Sequence, residues 1–141
     1  DSTGTIIGFI INKTENQVNQ QIQPDRAELV DYLHFVEENA KLDQLPERTI
    51  ELRVLSVSKE WRGRGVARRL TEENMRLAKA AGFEAMTVCC GSEYTAKLVR
   101  RMGWRELYRL AHKDYPTLSG RDVHLKSVPG HEYIYYYVVN L

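Results

Sequence analysis

The sequence predicts an α/β fold: a mixed β-sheet with flanking helices and a bulged strand at its centre. Three observations predict it. Strand-like and helix-like segments follow one another in the order strand, helix, strand, helix, strand, helix, strand, strand. The middle of that series is strand, glycine turn, amphipathic helix, strand, which makes a parallel βαβ unit. The central strand carries a one-residue slip in its alternation, the sequence sign of a β-bulge.

Each element has its own signal. Asp1-Ser2-Thr3-Gly4 is a turn-type cluster leading into a strand over 5–11. Its hairpin partner would lie before residue 1, so the sequence reads as one domain over 1–141 whose N-terminal part is missing. Residues 12–23 are polar, Asn/Gln-rich and aperiodic, which predicts a loop. Pro24-Asp25 opens a helix with Leu29, Leu33, Val36 and Ala40 on one stripe, and Pro46 ends that region. A strand follows over 49–58. The segment 63–81 starts with glycines and becomes a helix with Val66, Leu70, Leu77, Ala78 and Ala81 on one side, closed by Gly82. Residues 83–90 are apolar without alternation, as in a strand buried on both faces. A short helix over 92–102 has Ser92 as N-cap and Gly103 as C-cap. Strands over 106–113 and 131–141 complete the chain.

Composition excludes several function classes. Lys plus Arg is 20 and Asp plus Glu is 19, a formal net charge of +1. That argues against nucleic-acid binding through bulk charge and against an acidic disordered tail. The longest uninterrupted apolar run, Tyr133 to Val139, is far short of the ~20 residues of a membrane-spanning helix. No basic–apolar–small leader opens the sequence. The two cysteines, Cys89 and Cys90, are adjacent, and neighbours rarely pair, so a reducing, cytoplasmic setting is expected. The four histidines show no metal-ligand spacing, and none of the sequence predicts a metal site. His34, His112 and His124 read as structural or exposed.

The chemistry concentrates around residues 49–67. In Thr49-Ile50-Glu51-Leu52-Arg53-Val54-Leu55-Ser56-Val57 the apolar positions fall at 50, 52 and 54, then at 55 and 57. A slip between Val54 and Leu55 predicts a bulge there, and a strand buried on both faces is the alternative. Arg62-Gly63-Arg64-Gly65-Val66-Ala67 follows and opens a helix. Glycines let consecutive N–H groups converge on one spot, and a helix start favours a phosphate or diphosphate. The spacing is neither the dinucleotide fingerprint nor a Walker loop. From Lys59 to Arg69 there are five basic residues and one acid, a local net charge of +4. A solvated helix face accounts for Arg68 and Arg69, whereas Arg62 and Arg64 lie in the turn and suit phosphate contact.

These residues resemble the GNAT superfamily of acetyl-CoA-dependent N-acetyltransferases. Leu55-Ser56-Val57 and the turn Arg62 to Ala67 look like its pyrophosphate motif. Ser92-Glu93-Tyr94-Thr95-Ala96-Lys97-Leu98-Val99-Arg100-Arg101-Met102-Gly103-Trp104 looks like its second motif. More narrowly, three features are similar to the insect-type arylalkylamine (dopamine) N-acetyltransferases: the helix over 28–40, the stretch Cys90-Gly91-Ser92-Glu93-Tyr94-Thr95-Ala96, and Pro129-Gly130-His131 before the last strand. The resemblance implies a GNAT-like mixed sheet and acetyl-CoA as cosubstrate. It implies direct transfer of acetyl to a small-molecule amine, with no nucleic acid or membrane partner. The diphosphate would sit on the N–H groups of Gly63, Arg64, Gly65, Val66 and Ala67, with Arg62 beside them. The pantetheine arm would run along Leu55, Ser56 and Val57 like an added strand. The N–H freed by the bulge near Leu55 would face the acetyl carbonyl. An N-terminal segment of the same protein would complete the amine side. Oligomeric state is not addressed by these motifs.

The sequence departs from the resemblance in places. The superfamily's thiolate acid, a Tyr four residues before the glycine ending the second motif, corresponds to Val99. Insect-type members carry serines matching Gly91 and Thr95, thought to assist proton transfer; Thr95 keeps a hydroxyl and Gly91 does not. Ser92 lies between them and doubles as helix cap. The insect-type base, a Glu ahead of the first hairpin, has no counterpart. His131 reads as an amine-pocket residue or as a cap, and Glu51 as an amine contact or as a paired structural carboxylate. Thr95, Ser92 and His131 are the candidate catalytic residues. Cys89 and Cys90 read as packing residues, and Tyr133, Tyr135, Tyr136 and Tyr137 as sheet packing with one or two near an aromatic amine. An acceptor that is a polyamine, amino acid or protein amine stays open, as does a CoA-binding fragment without turnover.

Overall fold

The computed structural model describes residues 4, 6, 8–13, 27–121 and 129–141. The elements are β1 (Gly8–Lys13), α1 (Ala27–Ala40), β2 (Thr49–Val57), α2 (Val66–Ala80), β3 (Ala85–Cys90), α3 (Glu93–Arg101), β4 (Arg105–Ala111), α4 (Tyr115–Ser119) and β5 (Tyr133–Asn140). They build one five-stranded sheet in the order β1-β2-β3-β5-β4. Among the described strand pairs only β2–β3 is parallel, as the βαβ reading requires. Most of the opening turn, residues 14–23 of the loop expected over 12–23, the helix start at Pro24-Asp25 and His124 lie outside the described residues, whereas Asn12 and Lys13 of that expected loop extend β1 by pairing with Leu52 and Glu51.

Helices cover both faces of the sheet. On one face α2 and α3 pack over Ile50, Leu52, Met86, Val88, Cys90, Tyr135 and Tyr137. On the other, Tyr32, Val36 and Ala40 of α1 and Tyr115 of α4 pack over Leu110, Ile134 and Tyr136. β3 and β5 therefore feed both cores. This is why β3 and the last strand read as unbroken apolar runs rather than alternating ones.

Two helix stripes differ from expectation. Leu29 and Leu77 are about half exposed, while Tyr32 and, on α2, Thr71 and Asn74 are buried. On α2 the buried polar groups are satisfied at low cost. Thr71 Oγ1 donates to the Ala67 carbonyl at 2.8 Å, and the Asn74 amide exchanges bonds with Asn12 of β1 at 2.6 and 2.9 Å. A stripe of apolar letters could not show a polar pair that locks α2 to β1. The strand expected to run to residue 113 ends at Ala111 and turns through a short 3-10 segment, His112–Asp114, into α4. Pro116 in the first turn of α4 suits a helix start.

Candidate active site

The centre of the sheet opens where β2 leaves β3. Parallel pairing runs from Thr49↔Ala85 to Leu52↔Val88 and stops. Beyond it Cys89 and Cys90 still pair with β5, opposite Tyr136 and Tyr135. β2 residues 53–57 keep only β1 as neighbour, so their other main-chain edge is free of strand partners among the described residues.

A bulge accompanies this splay. Asn12 pairs with Leu52 and Ile11 with Val54, which leaves Arg53 as the extra residue on β2. The bulge sits one residue earlier than the Val54/Leu55 slip suggests. Val54 belongs to the exposed face, 38% exposed, while Leu55 packs with Ile10 toward α2. Its apolar side chain disguised the true phase change, which runs from Leu52 to Leu55.

The glycine turn lies just beyond the splayed strand. Gly63 and Gly65 both have positive φ, +74° and +77°, and an added Cβ on either would meet nothing within 4 Å. The turn therefore presents bare backbone to open space, a surface that fits a diphosphate. Gly65 is the N-cap of α2, and its carbonyl accepts the Arg69 N–H at 3.1 Å. The N–H groups ahead of Arg69, on 66–68, thus have no intrahelical acceptor. Arg62 folds back and donates through Nε to the Val57 carbonyl at 3.2 Å, tying the turn to the end of β2. Arg64 lies over the Trp61 ring, 4.8 Å from its centroid, with its charge exposed. Leu55, Ser56 and Val57 at the end of the splayed strand are thus followed by Arg62, Gly63, Arg64, Gly65, Val66 and Ala67 at the helix start.

The other wall is the end of β3 and the start of α3. Ser92 is the N-cap of α3, its hydroxyl oxygen accepting the Tyr94 N–H at 3.1 Å. Thr95 is half-buried in the first turn of the same helix. His131 reaches this helix from the far side, its Nδ1 accepting the Glu93 N–H at 3.0 Å. A neutral ring bonded this way carries its proton on Nε2, so no lone pair is left for a substrate proton while the contact holds. Val99 is buried in the core beneath α2 and α3, in the cluster that holds Cys90, Trp104 and Tyr135.

On the opposite face the carboxylate of Glu51 sits beside the bulge. It accepts from the Tyr136 hydroxyl at 3.1 Å and faces Arg53 at 3.6 Å. Burial, then the carboxylates of Glu51 and Glu37, push the Cys89 thiol up to about 12. Burial, then Cys89, pushes Cys90 equally high. Both are poor nucleophiles in this state, in keeping with packing roles. Burial and Glu51 likewise hold the Tyr136 phenol protonated.

Two groups escape the sequence pattern. Arg53 makes the bulge, and Glu93 holds its backbone on His131 while its carboxylate takes the Tyr135 hydroxyl. Alternation along the last strand was the available signal: Tyr133, Tyr135 and Tyr137 share one face and Tyr136 the other. Among the described residues, no group of three His, Cys, Asp or Glu is placed to hold a metal ion.

Comparisons with known proteins agree with this arrangement. A family profile described as the acetyltransferase (GNAT) family matches residues 1–104. Among solved structures, a mosquito arylalkylamine N-acetyltransferase-like protein 5b superposes with a TM-score of 0.82 at 21% identity, over 99% of this chain and 71% of that one. The C-terminal condensation domain of Ebony, in complex with beta-alanyl-dopamine, gives a TM-score of 0.85 at 16% identity, over 99% and 68%. A polyamine N-acetyltransferase of Drosophila melanogaster that forms N-acetylagmatine gives 0.72 at 22%, over 98% and 71%. Glycine turn, splayed bulged strand and matching profile together make this chain a member of the acetyltransferase (GNAT) family, an acetyl-transferring enzyme.

Proposed function

We propose that the enzyme acetylates the primary amine of an arylalkylamine, of the dopamine, tyramine and serotonin class, by direct transfer. The observation that carries this reading is the surface beside the splay. Phe9, Ile11 and Val54 are 47%, 49% and 38% exposed. They share one face of β1 and β2, and Glu51 lies on that face at the bulge. An apolar strip ending in a carboxylate suits an aromatic body that carries an ammonium.

Acetyl-CoA, when bound, supplies the acetyl group as an activated thioester. The N–H groups from Gly63 to Ala67, with Arg64, would hold the diphosphate. The free main-chain edge of Leu55, Ser56 and Val57 would hold the pantetheine arm, and an N–H near Leu55 would stabilise the negative charge that develops on the acetyl oxygen. Glu51 receives the ammonium and takes its proton at a carboxylate oxygen, since a protonated amine cannot attack. Ser92 and Thr95 at the start of α3 are the hydroxyls available to the departing thiolate. His131 serves as a cap in this scheme.

A second reading has its own support. Helix α1 carries Glu28, Asp31, Glu37 and Glu38 and no Lys or Arg, which favours a dicationic acceptor such as agmatine or a polyamine. The test is thiol release from acetyl-CoA by the full-length protein with dopamine, tyramine, serotonin, agmatine and spermidine. Arylalkylamines are expected to have the highest kcat/KM. Release with agmatine or spermidine alone selects the second reading. Calorimetric binding of acetyl-CoA with no product from any amine would leave a CoA-binding module without turnover.

A further inference from the structure

A network outside the motifs fixes the start of α3. Its centre is Glu93, the first residue of the helix. Its backbone N–H donates to His131 Nδ1 at 3.0 Å, and its carboxylate accepts the Tyr135 hydroxyl. The Arg100 guanidinium stands 3.9 Å from the same carboxylate and 4.9 Å over the Tyr135 ring. Arg100 Nε also donates to the Tyr137 hydroxyl at 2.5 Å, and Tyr137 donates to Glu106 at 3.2 Å. Tyr94 packs edge-on against the His131 ring with centroids 5.4 Å apart. Tyr135 lies directly opposite Cys90, the last residue of β3. Three separate chain segments (the end of β3, the start of α3 and the entry to β5) therefore meet at one residue.

Helix α3 has nine residues and joins β3 through Gly91 and Ser92. A Cβ at Gly91 would meet nothing within 4 Å, and Gly91 itself brings no side chain to anchor this link. Ala96 and Val99 seat the body of α3 in the core, and the placing of the Ser92 and Thr95 hydroxyls in its first turn depends further on what grips the helix start. We infer that Glu93, Tyr135 and His131 act as one positioning unit for the acetyl-transfer step, setting the Ser92 and Thr95 hydroxyls at the mouth of the splay. The inference rests on the proposed transfer at that splay. None of the three is a catalytic residue here, because each acts through the helix it holds.

The test uses the full-length enzyme and starts from wild-type turnover, whose absence would count against the proposed function and not against the unit. Tyr135→Phe keeps the ring and its packing and removes the hydroxyl that bonds Glu93 and also meets Arg100. It is expected to lower kcat about tenfold, with acetyl-CoA affinity by calorimetry within about twofold, since small misplacements at a reacting centre cost rate before binding. Glu93→Ala should lose as much, and Glu93→Gln should recover most of it through an amide oxygen that still accepts from Tyr135. His131→Asn should restore what His131→Ala loses, because Oδ1 of Asn falls near the place of Nδ1. A folded Tyr135→Phe enzyme with unchanged kcat overturns the unit. So does a His131→Asn variant as impaired as His131→Ala, since the ring itself would then be what the reaction needs. If losses track melting temperature alone and the conservative variants rescue nothing, the network is structural and the inference fails.

Discussion

At the scale of single residues, backbone conformation and protonation decide most of what this site can do. Gly65 is held at φ +77° with open space around its missing side chain. Gly65→Ala should therefore cost only the left-handed strain, roughly 1–2 kcal/mol, by thermal melting. Gly65→Glu should stay folded and lose CoA affinity in calorimetry, because it sets a charge where the diphosphate is proposed to lie; unchanged affinity would refute that placement. His112 shows how a half-buried histidine ties stability to pH. Its Nδ1 faces the Tyr32 hydroxyl at 2.6 Å, and burial keeps that phenol protonated, so it donates. Burial also holds the His112 ring below its ordinary value, against the opposing effect of the His131 carbonyl. The unfolded chain then binds more protons between the folded value and the unfolded value of about 6.5. Stability should be complete above the unfolded value and decline as pH falls through that interval. His112→Asn, which keeps an acceptor for Tyr32 and cannot titrate, should flatten the dependence of melting temperature on pH between about 5 and 7. An equally steep profile in the variant would assign the effect elsewhere.

Among the elements, β2 and α3 carry the functional geometry, and they were legible to different degrees. The bulge was visible as a broken alternation, yet its residue was not, because Val54 is apolar and faces outward. Alternation records which residues are apolar, whereas a bulge is defined by which residues lack a partner on the next strand. Helix α3 was legible almost to the residue, since Ser92 and Gly103 punctuate it chemically. Ser92→Ala should lower stability by about 1 kcal/mol through the lost cap. Ser92→Asp should restore it by accepting the same Tyr94 N–H without supplying a neutral hydroxyl. Melting curves check the first expectation. Turnover of a stable Ser92→Asp enzyme separates capping from any use of the hydroxyl, with full activity removing Ser92 from the proton path.

For the whole molecule, the two cores share β3 and β5, so the faces should not unfold independently. Met86 is fully buried beneath α2 and α3, and Val36 is fully buried in α1 on the other side. Met86→Ala should cost about 2–5 kcal/mol, and Val36→Ala at least ~1.5 kcal/mol for two methyl groups at ~0.8 each. Both should move a single calorimetric transition; two resolved transitions would show that the faces fold separately. The order of elements as far as β4, the parallel unit at the centre, the glycine turn and the caps were determined by sequence alone, whereas α4 was not. Each depends on residue types acting within a few positions of one another, where periodicity, positive φ and capping chemistry are local. The tertiary structure decided the rest: Arg53 as the bulge, the stop in β2–β3 pairing after Leu52, the Asn12–Asn74 lock, and the meeting of Glu93, Tyr135 and His131. These arise between segments 36 to 62 residues apart, and contacts at such separation are set by packing, which no local pattern records.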